Sequence, residues 1–113
     1  MNPLTSKSIP SLDRYSRRAL VEVSIEESQK YPSVFTRLYP EAACAAAEHA
    51  DAMRSAGVQI SPLAGLPVSI KDLVDVAGET TLAGSTVLEG RPPASSDAPV
   101  VKRLRIAGAA IVG

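Results

Sequence analysis

The apolar and polar positions divide the chain into an N-terminal helical part and a later stretch of short strands joined by a helix. The plainest element runs from Glu41 to Ala56. Alanine, the strongest helix former, dominates it; Pro40 suits its first turn, Arg54 its last, and Gly57 is placed to cap its C-terminus. Ala43, Ala46, Ala50 and Met53 share one face, small enough to lie close against a sheet or another helix. Upstream, Leu12 to Ser28 supports two readings. Val21, Val23 and Ile25 alternate with Glu22, Ser24 and Glu26 as in a strand, while the arginine and glutamate content suits an exposed helix. Arg14, Arg17 and Arg18 read as a solvated face. Residues 1–10, with Pro3, Pro10 and several hydroxyl residues, form a lead-in, and Tyr31-Pro32 breaks whatever precedes it. Val34, Phe35 and Leu38 then make a short apolar anchor.

The second half switches to period two. Leu66, Val68 and Ile70 alternate with Pro67, Ser69 and Lys71, the pattern of a strand with one apolar face. Gly65 and Pro67 punctuate its start, so Lys71 arrives at a strand-to-loop edge, where side chains reach clefts. Gly78 to Ser85 is a polar loop with glycines where the backbone needs unusual dihedrals. Residues 90–96, Gly-Arg-Pro-Pro-Ala-Ser-Ser, are a connector. Asp97 is placed to cap a helix with Pro99 in its first turn, Val100, Val101, Leu104 and Ala107 at helical spacing, and Lys102, Arg103 and Arg105 on its exposed side. Gly108 ends that helix and Ala109 to Val112 reads as a buried strand. The result is an α/β strand, crossover and strand unit, expected parallel and right-handed.

Composition narrows the function. With 113 residues the chain has the size of one domain and can bury a core. Twelve Lys and Arg balance twelve Asp and Glu, which removes the electrostatic case for direct nucleic-acid binding or an anionic membrane. Small molecules or proteins remain as partners. One cysteine, Cys44, excludes an internal disulfide and makes a reducing compartment the default. With no signal-peptide pattern and no apolar run of about 18 residues, the expectation is a soluble cytoplasmic protein.

Candidate chemistry is sparse. Cys44 sits in the alanine-rich helix without an obvious activating group and reads as a small buried thiol. His49 is the only histidine and has no partner ligand at metal spacing, so no metal is expected. Gly108-Ala-Ala-Ile-Val-Gly113 has the glycine spacing of a phosphate-binding loop, but the order is helix, glycine, strand, the reverse of what a phosphate cradle needs. Lys71 is left as the candidate for catalysis, and a solvated strand end is the simpler alternative.

The wording around Lys71 goes further. Pro62-Leu-Ala-Gly-Leu-Pro-Val-Ser-Ile-Lys71-Asp72, then Thr80-Thr81-x-x-Gly84-Ser85, then Leu104-Arg-Ile-Ala-Gly-Ala-Ala-Ile-Val-Gly113, closely resembles the start of the amidase signature family. The resemblance is firm over 41–113, which it marks as the start of the catalytic domain, and thin over 1–40, a lead-in with helices. It implies the N-terminal fragment of that fold, N-terminal helices followed by a strand-loop-helix-strand unit of a mixed, largely parallel sheet, and so favours the helix for Leu12 to Ser28.

By resemblance, the activity is amide hydrolysis, or transfer of ammonia from an amide, through a serine, cis-serine and lysine triad without a metal or organic cofactor. Lys71 falls on the family's catalytic lysine, the base that draws a proton through the cis-serine. The two serines belong to a glycine- and serine-rich stretch downstream of any residue here, so these 113 residues alone are expected to be inactive. Ser85 matches neither serine of the triad. The loop carrying Gly84 and Ser85 borders the family's cleft, and an ordinary turn is the alternative. Asp72 is expected to point to the opposite side of the strand in a structural role. The implied partners are a small-molecule amide, a second copy in a homodimer, or the companion subunits of a glutamyl- or aspartyl-tRNA amidotransferase. The competing account is a non-catalytic amidase-like binding module, against which stands the apolar strand edge at Ala109 to Val112.

Overall fold

A computed structural model describes residues 8–113. After a single turn of helix, α1 (Ile9–Leu12), the chain enters α2 (Arg17–Gln29). Ser16 opens α2 by accepting the Ala19 amide on its hydroxyl. The amides of Arg17 and Arg18 donate to the carboxylate of Asp51 at 2.8 and 3.0 Å. The first-turn N–H groups, which have no partner within a helix, are thus satisfied, two of them by a side chain from another helix. This settles the ambiguity of the N-terminal region in favour of a helix. Leu20, Val21 and Ile25 are buried, a one-and-four spacing that only a helical face produces.

Buried Leu20, Val21 and Ile25 face α3 (Pro40–Ser55), where Ala43, Ala47 and Ala50 are buried. The expected face of Ala43, Ala46, Ala50 and Met53 is rotated slightly: Ala47 is fully covered, whereas Ala46 and Met53 are half-buried. Methyl-sized side chains let the two helices approach closely, and the interior joins Val21, Ile25, Ala43 and Ala47 to Ala110 and Val112 from the sheet. Cys44 is half-buried beside this cluster. Gly57 follows α3 with φ +76°, the left-handed cap the sequence calls for.

The sheet consists of β1 (Pro67–Val68) and β2 (Ala110–Ile111), parallel, with Pro67 opposite Ala110 and Val68 opposite Ile111. Flanking hydrogen bonds lengthen the pairing: Gly65 N–H to the Gly108 carbonyl at 2.8 Å, Ala110 to Leu66 at 2.8 Å, Val112 to Val68 at 2.9 Å and Ile70 to Gly113 at 2.8 Å. Leu66 to Ile70 therefore runs alongside 108–113 as expected, although only its middle has regular strand geometry.

Between the strands lie a 3₁₀ turn (Thr86–Leu88) and α4 (Pro99–Ile106). No residue from Pro67 to Val100 is buried. That excursion is held by backbone bonds across its base instead: Gly78 to Ala94 and Ala94 to Glu79, each 2.9 Å, and Ala98 to Asp75 at 2.9 Å. Val101 is its first fully buried side chain on the way back to the body.

Two expectations are corrected. Arg17 is not part of a solvated face; it is 2% exposed. Its Nε donates to the Ala64 carbonyl at 3.0 Å and its Nη2 to Asp13 at 3.0 Å. The periodicity of α2 turns Arg17 inward with Leu20 and Val21, and the carbonyl at Ala64 gives the charge a partner. Arg18 keeps a half-exposed place, paired with Glu22 and Glu48, and Arg14 lies exposed over the Tyr15 ring. Asp97 does not cap α4, whose capping residue is Ala98 with no side-chain bond. Its carboxylate instead accepts from the Ala77 amide and from Arg105 Nε, both at 2.8 Å, stapling α4 to the excursion.

Gly65 is a tight point between the helices and the sheet. Its φ is +71°, and an added Cβ would stand 2.8 Å from Ala50 Cβ and 2.9 Å from Arg17 Cβ. Gly65→Ala is expected to destabilise the fold by about 2–4 kcal/mol, combining left-handed strain with overpacking. Gly57→Ala, at φ +76° but with open space around it, should cost only about 1–2 kcal/mol. Denaturant unfolding of the two variants checks the difference.

The Ala77 amide, then Arg105, holds the Asp97 carboxyl below its ordinary range. A depressed folded-state value gives stability that is present above the unfolded value and lost as pH falls through the folded one. Thermal unfolding followed from neutral pH down through the carboxylate range should show this acid loss, and Asp97→Asn should lessen it.

Candidate active site

β1 ends where the site begins. Lys71 follows Ile70, whose amide is fixed to the Gly113 carbonyl, and the Lys71 carbonyl accepts the Val74 amide at 3.1 Å in a turn that closes the strand. The Lys71 side chain is exposed and, among the described residues, its amine has no hydrogen-bond or ion-pair partner. It stands over a groove of about 710 Å³ whose walls include Val34, Phe35, Arg37, Leu73 and Gly84. A smaller cavity of about 90 Å³ adjoins it, bounded by Tyr39, Asp72, Glu79 and Thr80. The reach of a lysine, unpaired among the described residues, into a mostly apolar groove is an arrangement from which a base or a cationic anchor for an anion can act.

The opposite wall comes from the segment between α2 and α3, which sequence reasoning took only as an apolar anchor. The Tyr39 amide donates to the Val112 carbonyl at 2.9 Å and draws this segment across the end of β2. A Cβ on Gly113 would lie 2.5 Å from the Arg37 carbonyl and 2.7 Å from the Phe35 ring, so glycine is what allows the wall to close down. Arg37 then pairs with Glu79 at 2.7 Å, bridging the wall to the excursion. Burial pushes the Tyr39 phenol upward, and the nearby Glu79 carboxylate adds to it. The spacing of Phe35 and Leu38 hinted at an apolar contact; nothing local in the sequence announces the Arg37–Glu79 pair.

Asp72 diverges from its neighbour. Its Oδ1 accepts the Leu82 amide at 3.1 Å, while its Oδ2 is buried. Lys71 thus faces outward and Asp72 inward. Gly84, at φ +71°, stands at the groove edge, whereas the Ser85 hydroxyl accepts the Val87 amide and opens the 3₁₀ turn. His49 lies exposed on α3, and among the described residues no group of three or more His, Cys, Asp or Glu side chains converges as a metal site. No described helix is long and apolar enough to cross a membrane.

Known proteins are similar to this chain in sequence and in fold. A 1-carboxybiuret hydrolase subunit, AtzE, of Pseudomonas sp. (strain ADP) is 46% identical over 81 residues, covering 72% of this chain and 18% of that protein. A glutamyl-tRNA(Gln) amidotransferase subunit of Rhodopirellula baltica is 47% identical over 90 residues, covering 80% of this chain and 18% of its own. Among solved structures, an inhibitor-bound vestigial protein complex bearing on the origins of an s-triazine catabolic enzyme superposes with a TM-score of 0.81 at 38% identity, over 93% of this chain and 24% of the other. Native peptide amidase from Stenotrophomonas maltophilia does so with a TM-score of 0.75 at 27% identity, over 98% of this chain and 25% of that one. The chain spans about a fifth of the length of the curated relatives it matches, 18% for each of the two named. Its fold is that portion of the amidase signature architecture, two helices over a small parallel sheet. The family model described as Amidase matches residues 10–113, helices and sheet together, and the chain belongs to the amidase family.

Proposed function

We propose that this chain is the N-terminal portion of an enzyme that hydrolyses carbon–nitrogen bonds of amides, and that Lys71 is its general base. The observation that carries the reading is the position of Lys71 in a family-matched segment, at the end of β1 and over a groove. Amide hydrolysis needs a nucleophile activated at neutral pH. A lysine performs that task only as the neutral amine, which burial favours because it disfavours the ammonium form. Lys71 is exposed in these 113 residues, so the covering that makes it a base comes from the rest of the enzyme. So do the two serines, the nucleophile and the bridging cis-serine that passes its proton to Lys71. The triad needs no cofactor, and the substrate is a small amide entering the groove.

A second reading has support of its own. Similarity to the glutamyl-tRNA(Gln) amidotransferase protein of Rhodopirellula baltica, at 47% identity over 90 residues, favours an amidase that works beside partner subunits. The same lysine chemistry then releases ammonia from an amide for a partner to use. Detection of free ammonia against transfer to a partner's acceptor separates the two.

In the full-length protein, Lys71→Ala is expected to lower amide hydrolysis by about 10³-fold or more with an unchanged circular dichroism spectrum. The 113-residue chain alone should show no turnover. Retained hydrolysis in Lys71→Ala would remove the lysine from the chemistry.

A further inference from the structure

Resting on the reading of Lys71 as the base, we propose that Asp72 is its positioning residue: its carboxylate fixes the facing loop to the peptide that carries the lysine. The backbone on both sides of the lysine is tethered while its side chain is left free. On the N-terminal side, Ile70 is held by the Gly113 carbonyl at 2.8 Å. On the C-terminal side, Asp72 Oδ1 holds the Leu82 amide at 3.1 Å, ten residues along the chain and next to Ala83 and Gly84, which line the groove. The turn from Lys71 to Val74, closed at 3.1 Å, prevents the tether from slackening. Removing the carboxylate frees both the loop and the peptide that aims Lys71.

The second oxygen lies the same way. Asp72 Oδ2 is buried without a hydrogen-bond partner among the described residues, so the carboxylate sits on the inner side of the strand end while Lys71 is exposed.

The test combines steady-state kinetics in the full-length protein with hydrogen exchange at the Leu82 amide. Asp72→Ala should lower kcat by about 10²-fold, the consequence of a displacement on the order of 1 Å at a reacting group, with KM within about threefold. Leu82 should exchange faster in the same variant. Asp72→Asn retains an oxygen for Leu82 and should restore kcat to within about fivefold together with Leu82 protection. Wild-type kcat in Asp72→Ala, with turnover lost in Lys71→Ala, overturns the positioning role and leaves the base standing. Failure of Asp72→Asn to restore kcat in a protein of wild-type Tm also overturns it, because charge rather than placement is then what matters. Retained turnover in Lys71→Ala overturns the base itself, and the role of Asp72 with it.

Discussion

The guanidinium of Arg17, sealed beneath the helices and bonded through Nε to the carbonyl of Ala64, decides where β1 starts. A buried charge is tolerated when it is paired and hydrogen-bonded, and here Ala64 and Asp13 bond Nε and Nη2 while Nη1 has no partner among the described residues. Asp13 closes the far side of the guanidinium and also takes Arg54 of α3. Asp51, also of α3, receives the amides of Arg17 and its neighbour. Helix α2 can therefore settle only in the rotation that presents Arg17 to the turn before Gly65, and that turn can close only where no side chain fills the space. Register of the strand, and with it the place of Lys71, is inherited from a polar lock.

The site end works by the opposite means. From Pro67 to Val100 no side chain is buried, and the backbone is shaped by paired amides, by Asp97 bridging Ala77 and Arg105, and by Arg37 reaching Glu79. A compact helical body thus supports a hydrogen-bonded excursion around the lysine, the combination of rigid frame and surface loop on which catalytic groups are commonly carried.

Much of this was legible in the sequence where local signals agree. The alanine run with its proline start and glycine end announced α3, and alternation from Leu66 to Ile70 announced the strand that pairs with 108–113. The wording around Lys71 pointed to the family to which the chain belongs. What stayed hidden depends on partners distant in the chain. Arg17 read as solvated because its acceptor, the carbonyl of Ala64, is 47 residues away. Asp97 read as a helix cap because its position before Pro99 is the usual one, whereas the Ala77 amide, 20 residues upstream, claims it. The wall formed by Phe35 and Arg37 depends on Gly113, and a glycine at the end of a strand carries no local mark of the segment that will press against it.

The absence of buried side chains in the excursion sets apart how the two halves of these 113 residues respond to change. Substitutions in a packed core are penalised through volume and cavities; between Pro67 and Val100 these 113 residues by themselves enclose no such volume. The two parts of the chain are thus held by different physics, one by packing and a polar lock and the other by paired backbone groups.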